Sequence, residues 1–489
     1  MKNIAMFKYK SGLPLAVIGA FFLAHCLLIL LPSINLEFAF VDAAHYFQTG
    51  NSSLIEQYFR FQANTLGLPY LSWLISFFSP NLDMLFVIRL LSASGIVLLG
   101  LGVINFCKFL GRDDAIKLLI LILLNPLVWV FSGRATADFL PAALGFYSIT
   151  ILLKNRTIFH IFCAGTLLGI ATILKYHAIF LLLVLIPCLW DSKNKLFDIK
   201  PFLMVSAISL NLLSIFLFFV HQNFGFWVAP PIYQSIHGLN FRSFLNNFFL
   251  YIGFLILLCA PQSLIFPGWK KLLIKHRYLI IFGSAAIFFL GSIGFQDGGE
   301  LNLGPLDRFI NKNAMAGIFL LFSLFFLTPF LATQENITVK KFNSLLAISI
   351  ILIISAFSLT RPAQRYLLVV IPFFYFLVPQ RVINNKKVII VSVFMYTMIN
   401  IFIGYSQWNT GSAAEKMVYA IRVAGLIDVT NPGIIEGHVG NQFNINVRGD
   451  SKYVVILGDD PAARIKVESG VSFSKKTFSL VEISRQDPR

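Results

Sequence analysis

Long apolar stretches recur along the whole chain and are separated by short polar segments. A helix needs about 20 apolar residues to cross a bilayer, with a range of about 17–25. Several stretches are shorter than this, especially the two on either side of Lys175. The pattern predicts an all-α polytopic membrane protein with about 11–13 transmembrane helices. Thirteen candidate spans cover residues 13–32, 84–109, 116–132, 138–153, 158–174, 176–190, 201–220, 248–266, 278–295, 314–331, 343–359, 366–379 and 388–405.

The composition supports the same class. Hydrophobic residues make up 57% of the 489 residues, charged residues only 12%, and the mean hydropathy is +0.77. A soluble protein carries about 25% charged residues, so a soluble fold of this size would lack the charges to cover its surface. All five cysteines lie in apolar stretches and are predicted to be small buried hydrophobes without disulfides. Disorder, a nucleic-acid-binding domain and a secreted disulfide scaffold are excluded.

Basic residues are distributed unevenly between the two predicted sides of the membrane. With the N-terminus in the cytoplasm, the inner segments contain 20 basic and 5 acidic residues, whereas the outer loops contain 8 of each. Cytoplasmic loops of membrane proteins carry an excess of Lys and Arg. Membrane topology therefore explains the net charge of +17, and nucleic acid is not predicted as a partner. With thirteen spans, the C-terminal tail lies on the outer face.

The chain divides into two parts of different composition. Residues 1–405 form the predicted transmembrane domain, and their first outer loop, residues 33–83, contains amphipathic pieces at 54–62 and 68–78 that suit helices in the interface plane. Residues 406–489 are predicted to form a small extracytoplasmic α+β domain. Its predicted elements are a helix at 413–426 and strands at 442–447, 452–457, 464–467 and 477–483, separated by Gly, Asp and Pro turns.

Ionisable residues gather at the predicted outer ends of the helices. A charged group near lipid depth costs roughly 2.5–3.5 kcal/mol on insertion scales, so each one needs a reason. Together these residues suit an anionic lipid-linked phosphate, a divalent metal and a base for a hydroxyl group. They are Asp42, His45, Arg134, Asp138, Lys175, Arg361 and Arg365.

Each of these residues also has an ordinary structural interpretation. Asp42 could cap a helix at the interface. Asp138 could cap the helix that follows it, with Arg134 paired to it at i, i+4. Snorkelling or anchoring at the membrane interface would account for four others, Lys175, His45, Arg361 and Arg365.

Four motifs, in chain order, resemble those of the GT-C superfamily of membrane glycosyltransferases. Asp42-Ala-Ala-His-Tyr46 resembles the element that opens the first outer loop, and Gly133-Arg-Ala-Thr-Ala-Asp138 resembles the second acidic element. The glycine-rich stretch from Gly165 to Lys175 and the segment from Arg365-Tyr366 to Pro372 resemble elements of one branch. That branch includes protein mannosyltransferases and lipid A aminoarabinose transferases.

The resemblance, which covers about residues 10–380, implies a GT-C-like fold and a chemistry. Such an enzyme moves a sugar from a polyprenyl-phosphate carrier to an acceptor on the outer face, with inversion at the anomeric carbon. Asp42 would be the general base. Cations would stabilise the leaving phosphate. By resemblance, Lys175 and Arg365 are phosphate ligands, Arg134 and Arg361 are further candidates, and Asp138 and His45 are acceptor or metal ligands.

The first motif departs from that of many relatives, which have a second acidic residue close to the Asp. Here the neighbours are Ala43 and Ala44. Two alternatives for the cofactor therefore stay open, a divalent metal (Mg, Mn or Zn) held by Asp42 and Asp138, or none.

The predicted partners are a polyprenyl-phosphate-linked sugar, membrane lipid, and an envelope glycan or glycolipid acceptor such as lipopolysaccharide or O-antigen. The predicted location is a bacterial inner membrane. Two other functions are weighed, a transporter or flippase of lipid-linked sugars and a glycan polymerase or ligase. A flippase needs charges reachable from both faces, whereas mid-span charges are almost absent apart from Arg89.

Overall fold

The structure is a computed structural model and describes fifteen segments of the chain. These are residues 12–31, 35–50, 55, 58–59, 65–191, 196–231, 238–259, 269–296, 312–323, 337–360, 362–423, 429–430, 453–457, 460–468 and 477–482.

Helices account for most of the described chain. In chain order they are α1 (Leu13–Leu28), α2 (Asn35–Thr49), α3 (Gly67–Phe78), α4 (Met84–Leu110), α5 (Ala115–Leu124), α6 (Pro126–Ser132), α7 (Phe139–Lys154), α8 (Ile158–Leu174), α9 (Leu182–Leu189), α10 (Ile199–Phe224), α11 (Phe244–Cys259), α12 (Trp269–Lys275), α13 (Arg277–Gln296), α14 (Lys312–Ser323), α15 (Ile337–Ser358), α16 (Ile371–Leu377), α17 (Gln380–Ile383) and α18 (Lys386–Val423). Two 3-10 helices, Tyr176–Leu181 and Gln364–Val369, precede α9 and α16.

Eleven of the thirteen predicted spans coincide with a helix or with two consecutive helices. The first parts of the spans predicted at 248–266 and 314–331 coincide with α11 and α14, and their remaining residues lie outside the described chain. Among the described residues, six helices are long and apolar enough to cross a membrane, or seven if the bent pair α5 and α6 is one span. The other predicted spans coincide with shorter helices. The predicted class, a polytopic helical membrane protein, is confirmed, and the exact number of crossings stays a prediction.

Three predicted spans are not continuous α-helices. The span predicted at 116–132 bends by 65° between α5 and α6. Pro126 begins α6, and the backbone N–H of Leu127 donates to Asn125 Oδ1 over 3.1 Å, so the new helix has its own cap. The spans predicted at 176–190 and 366–379 each begin with a 3-10 helix at the end that carries Lys175 or Arg365.

The glycine-rich helix α8 owes two of its glycines to close packing. A Cβ atom on Gly165 would lie 2.8 Å from Ile208 Cβ, and one on Gly169 would lie 3.3 Å from the backbone of Ser209. Small residues let helices approach closely in a membrane. The helices α8 and α10 therefore pack backbone against backbone, which fixes the end of α8 where Lys175 lies.

Buried apolar side chains form two clusters. The larger cluster runs through the middle of the bundle and includes residues of α4, α5, α7, α9, α11 and α16. The smaller cluster surrounds α2 and joins Val41 and Ala44 to Ala137, Leu140 and Leu174. The smaller cluster thus brings together three of the segments in which the sequence predicts site residues.

The first outer loop differs from its prediction in one respect. The helix predicted at 68–78 is α3, and its last residues Phe77 and Phe78 are exposed, as an interfacial helix requires. The segment 35–49, for which no helix is predicted, is the helix α2. Most of the piece predicted at 54–62 lies outside the described residues.

The C-terminal part contains a small sheet. The strands are β3 (Val429–Thr430), β4 (Tyr453–Leu457), β5 (Ile465–Glu468) and β6 (Thr477–Glu482), in the order β3-β4-β6-β5, and a separate hairpin joins β1 (Trp190–Asp191) to β2 (Leu196–Phe197). Three predicted strands coincide with β4, β5 and β6. The fourth, at 442–447, lies outside the described residues.

The last helix crosses the boundary that the sequence predicts at residue 405. A break was expected there, with a separate helix at 413–426, but α18 continues without interruption from Lys386 to Val423. The helical part of the predicted outer domain is therefore the far end of the last membrane helix. Both β5 and β6 contact α18.

Candidate active site

Asp42 lies in the middle of α2, buried among apolar side chains. It is 6% exposed, and its neighbours Val41, Ala43 and Ala44 belong to the smaller apolar cluster. Because residue 42 is more than one turn from either end of α2, Asp42 is not a helix cap, and that interpretation is wrong. Within the described part of the chain, no hydrogen bond or ion pair to the Asp42 carboxylate is found.

This environment changes the acidity of the Asp42 carboxyl. Burial raises the pKa of Asp42 from its ordinary value of 3.8 to about 7, because the apolar surroundings disfavour the charged form. A general base works best when its pKa lies near the operating pH. The position therefore suits proton transfer near neutral pH.

Asp138 stands at the junction between the loop 133–138 and α7. It occupies the N-cap position of α7, but its side chain accepts no capping hydrogen bond. Instead, Lys175 Nζ donates to Asp138 Oδ1, and Arg365 Nε lies 3.6 Å from the same oxygen. The structure thus brings three predicted site residues together, and the capping interpretation of Asp138 is wrong.

Both cations beside Asp138 lie at the start of a 3-10 helix. Lys175 is the residue between α8 and Tyr176–Leu181, and Arg365 lies within Gln364–Val369. The Lys175 side chain is 5% exposed and that of Arg365 is 14% exposed, so neither extends freely into an aqueous interface. Lys175 is buried against its counter-ion, so snorkelling does not explain it.

One aromatic ring lies against both cations. Lys175 Nζ lies 4.9 Å from the ring centroid of Tyr366, and Arg365 Cζ lies 5.9 Å from it. The imidazole of His177 stacks on the same ring, with centroids 4.2 Å apart. Cations are attracted to the face of an aromatic ring. Tyr366 therefore helps to fix the two cations beside Asp138.

Two cations lie against the single carboxylate of Asp138. Burial alone would raise the pKa of the Asp138 carboxyl, but Lys175 and Arg365 hold it below its ordinary value, so the carboxylate stays charged. Two cations and one anion leave a net charge of about +1 among these three residues. A phosphate group is a ligand of the charge and hydrogen-bonding type that such a cluster accepts.

Arg134 is paired with a residue that the sequence does not single out. Its Nη1 atom lies 3.5 Å from Glu37 Oε2, and the pair with Asp138 at i, i+4 is not formed. Glu37 also accepts two hydrogen bonds from Arg89, 2.7 and 2.8 Å long. Burial alone would raise the pKa of Glu37, but Arg134 and Arg89 hold it below its ordinary value. A phosphate role for Arg134 stays a prediction.

The remaining predicted residues lie apart from this cluster or outside the described chain. His45 is half-buried on α2, and its Nδ1 atom lies 2.9 Å from Gln48 Oε1. Arg361 lies outside the described residues. In the part of the chain that the structure describes, no group of three His, Cys, Asp or Glu side chains could hold a metal ion.

The segments that carry Asp42 and Asp138 belong to one site region. Ala135 N–H donates to Glu37 Oε1 over 2.7 Å, which ties the loop 133–138 to α2. Thr65 Oγ1 donates to the carbonyl of Leu174 over 2.7 Å, which ties the start of α3 to the end of α8. The lone carboxyl and the cation cluster thus lie at the same end of the bundle.

Two crystal structures of ArnT from Cupriavidus metallidurans are similar to this chain. The one bound to undecaprenyl phosphate has 11% sequence identity and a TM-score of 0.49, and the match covers 98% of this chain and 99% of that chain. The one in the apo state has 10% identity and a TM-score of 0.45, and the match covers 95% and 97%. No protein-family model and no curated protein sequence matches the chain.

The sequence contains a signal that Arg89 has a buried acidic partner, although it does not identify that partner. Arg89 is the one charge that falls well inside a predicted span, and a buried guanidinium at that depth needs a counter-ion. Glu37 is an acid in the segment that leads to Asp42. Glu56 and Asp83 lie nearer to Arg89 in the sequence, so the sequence alone does not identify Glu37 as the partner.

Proposed function

We propose that this protein is an inverting glycosyltransferase that moves a sugar from a polyprenyl-phosphate carrier to a cell-envelope glycan or glycolipid. The proposal rests on the different environments of the two buried carboxylates, Asp42 and Asp138. Asp42 has no counter-ion among the described residues and a pKa of about 7, whereas Asp138 is charged and in contact with both Lys175 and Arg365.

In the proposed step, Asp42 accepts the proton of an acceptor hydroxyl as the hydroxyl oxygen attacks the anomeric carbon of the donor sugar. The bond between that carbon and the phosphate oxygen breaks, and the carrier phosphate leaves with the electron pair. Lys175 and Arg365 stabilise the negative charge that develops on the phosphate. Attack opposite the leaving group inverts the configuration at the anomeric carbon.

We further propose that the two cations do the work that a metal does in other sugar transferases. A divalent cation bound to Asp138 would lie beside the Lys175 ammonium and the Arg365 guanidinium, and like charges at that separation repel strongly in a buried site. The residues around Asp138 therefore do not fit a metal ion. Transfer is expected to continue in the presence of a chelator.

The acceptor and the compartment follow from the predicted topology. The loops rich in Lys and Arg face the cytoplasm, so the end of the bundle that carries Asp42 faces outwards. Polymers of the cell envelope, such as lipopolysaccharide or O-antigen, are the hydroxyl-rich acceptors at that face of a bacterial inner membrane. We therefore propose hydroxyl-rich envelope polymers, as a class, as the acceptor.

The test is an assay of the purified protein with a panel of polyprenyl-phosphate sugars, an envelope glycolipid extract and a chelator arm. Sugar-dependent release of free polyprenyl phosphate, absent in the matched variant Asp42→Asn, would support transfer. Movement of the intact donor across vesicles without release would indicate a flippase, and joining of oligosaccharides would indicate a polymerase or ligase. A sidedness assay with a reporter after Arg489 should give an extracytoplasmic signal.

A further inference from the structure

A buried ion cluster around Glu37 lies beside the candidate active site and has no part in the proposed chemistry. Glu37 is fully buried, and Arg89 and Arg134 are 4% and 1% exposed. Arg89 Nε donates to Glu37 Oε1 over 2.7 Å and its Nη2 donates to Oε2 over 2.8 Å, so the contact is bidentate. Buried ion pairs of this kind are weak evidence for stability alone, because desolvation offsets much of the attraction.

The Glu37 carboxylate joins the two segments that carry the candidate carboxylates. It lies five residues before Asp42 on α2, about 7.5 Å along the helix axis. Its Oε1 atom accepts the N–H of Ala135, three residues before Asp138. Through Arg89, whose Nη1 donates to the carbonyls of Ile29 and Leu31, the same carboxylate is tied to the end of α1.

We propose that Glu37 is a positioning residue that fixes the distance between Asp42 and the Asp138 cluster. It touches neither substrate nor reacting atoms in the proposed step; it acts by holding α2 against the loop 133–138. This inference rests on the proposed function, because it assigns the base to α2 and the phosphate-binding cations to Asp138. A misplacement of a reacting group by about 1 Å can lower the rate about 100-fold, so a residue that fixes this distance affects catalysis.

The chain offers a closely matched control at the other end of α4. Arg112 Nε donates to Asp114 Oδ1 over 2.9 Å, and its Nη2 donates to Oδ2 over 2.6 Å, so this pair is also bidentate. Arg112 Nη1 donates to the carbonyls of Phe376 and Val378, as Arg89 Nη1 does to two carbonyls at the end of α1. From Arg89 to the end of α4 is roughly 32 Å along the helix. The Arg112 pair therefore has the same chemistry at a distance from the site.

The experiment compares Glu37→Gln with Asp114→Asn in full-length protein. We expect Glu37→Gln to lower kcat about 10–100-fold while the KM for the donor changes less than about threefold. We expect Asp114→Asn, with a comparable loss of thermal stability, to change kcat less than about threefold. Equal losses of kcat in the two variants would reduce Glu37 to a general stabilising role and overturn the proposal.

A second readout needs no substrate. Hydrogen–deuterium exchange should rise in peptides covering residues 133–138 of Glu37→Gln and stay at the wild-type level there in Asp114→Asn. Unchanged exchange at 133–138 in Glu37→Gln would overturn the proposal even if activity falls. If wild-type protein transfers no sugar from any donor, the proposed function fails, and the exchange result alone decides whether Glu37 holds the loop.

A shortened side chain covers the case in which Glu37→Gln does not fold. Glu37→Asp keeps the charge that balances Arg89 and Arg134, but its carboxylate is one methylene too short to reach Arg89 and Ala135 together. We expect the same fall in kcat and the same rise in exchange at 133–138 for this variant. Wild-type values of both quantities in a folded Glu37→Asp protein would contradict the assignment.

Discussion

Asp42 and Asp138 are two carboxylates of nearly equal burial in the same region of the protein, and their acid–base properties are opposite. They are 6% and 4% exposed, yet the pKa of Asp42 rises to about 7 while that of Asp138 falls below its ordinary value. Burial acts on both in the same direction. The difference comes from the cations beside Asp138, which Asp42 lacks among the described residues.

The local backbone explains why only one of them has partners. Asp42 lies within a regular helix between small apolar residues, and a helix interior presents side chains in one fixed direction. Asp138 lies where a loop meets α7, and two 3-10 helices begin near it, at Lys175 and Arg365. The breaks in regular helix thus bring charged side chains to Asp138. The helix around Asp42 has no such break, and its carboxyl stays available to exchange a proton.

The largest expected effect is on the rate after Asp42→Asn. The amide keeps the size and polarity of the side chain but cannot accept the acceptor proton, so transfer should fall about 100- to 10,000-fold. Donor affinity, measured by equilibrium binding of polyprenyl phosphate, should stay at the wild-type value, because the cation cluster is intact. Transfer within about threefold of wild type would remove Asp42 from the base role.

The same substitution at the two carboxylates should change stability in opposite directions. Asp138→Asn leaves Lys175 and Arg365 without their buried counter-ion and should cost about 3–5 kcal/mol. Asp42→Asn removes a buried charge for which no partner is found in the described chain, so it should raise the melting temperature at pH 8. Thermal unfolding of both variants in the same detergent measures the two changes. A loss of stability in both variants would contradict the predicted difference between Asp42 and Asp138.

A smaller effect is expected on donor affinity when one cation is removed. Lys175→Met and Arg365→Met each delete a charged donor to the carrier phosphate, and each should weaken binding of polyprenyl phosphate by about 1.5–3 kcal/mol. Lys117→Met, at the exposed contact with Asn384 in a predicted cytoplasmic loop, is a control that should bind normally. Wild-type affinity in both site variants would place the phosphate elsewhere.

The pH dependence sharpens the comparison further. The folded pKa of Asp42 is raised from 3.8 to about 7, so the base is ionised only above that value, and kcat/KM should rise with pH through about 7. The folded protein binds the Asp42 proton more tightly than the unfolded chain does, so the contribution of this residue to stability falls as pH rises from about 4 to 7. Asp138 has a lowered pKa, so its contribution is lost as pH falls below its ordinary value of 3.8. A flat rate profile between pH 6 and 8 would contradict the assignment of Asp42.

Much of the fold follows from local sequence, because apolar length and turn residues decide it. The positions of the helices described at the predicted spans, and of the strands β4 to β6, depend on runs of neighbouring residues. Asp138, Lys175 and Arg365 each lie at an end of a predicted span on the same predicted side, and in the structure their side chains are in contact. Their roles in binding stay predictions.

Features that depend on distant partners could not be predicted in this way. The pairing of Glu37 with Arg89 joins residues 52 positions apart, and neither has a local pattern that indicates the other. The helix α2 is not among the predicted elements, and in the structure it packs against α3 and α4. The predicted boundary at residue 405 rests on a change in composition, which does not reveal that α18 continues past it to Val423.

The unbroken last helix has a consequence for the direction in which the C-terminal sheet faces. Its 38 residues span about 57 Å, against a hydrocarbon core of about 30 Å, so residues 406–423 extend roughly 27 Å past Tyr405 as a rigid stalk. Successive residues of a helix are rotated by about 100° about its axis. Deleting one residue from the stalk would therefore rotate the C-terminal sheet by about 100° about that axis. Deleting seven would shorten the stalk by two turns and restore nearly the original phase. The number of residues in the stalk therefore sets the direction in which the C-terminal sheet faces.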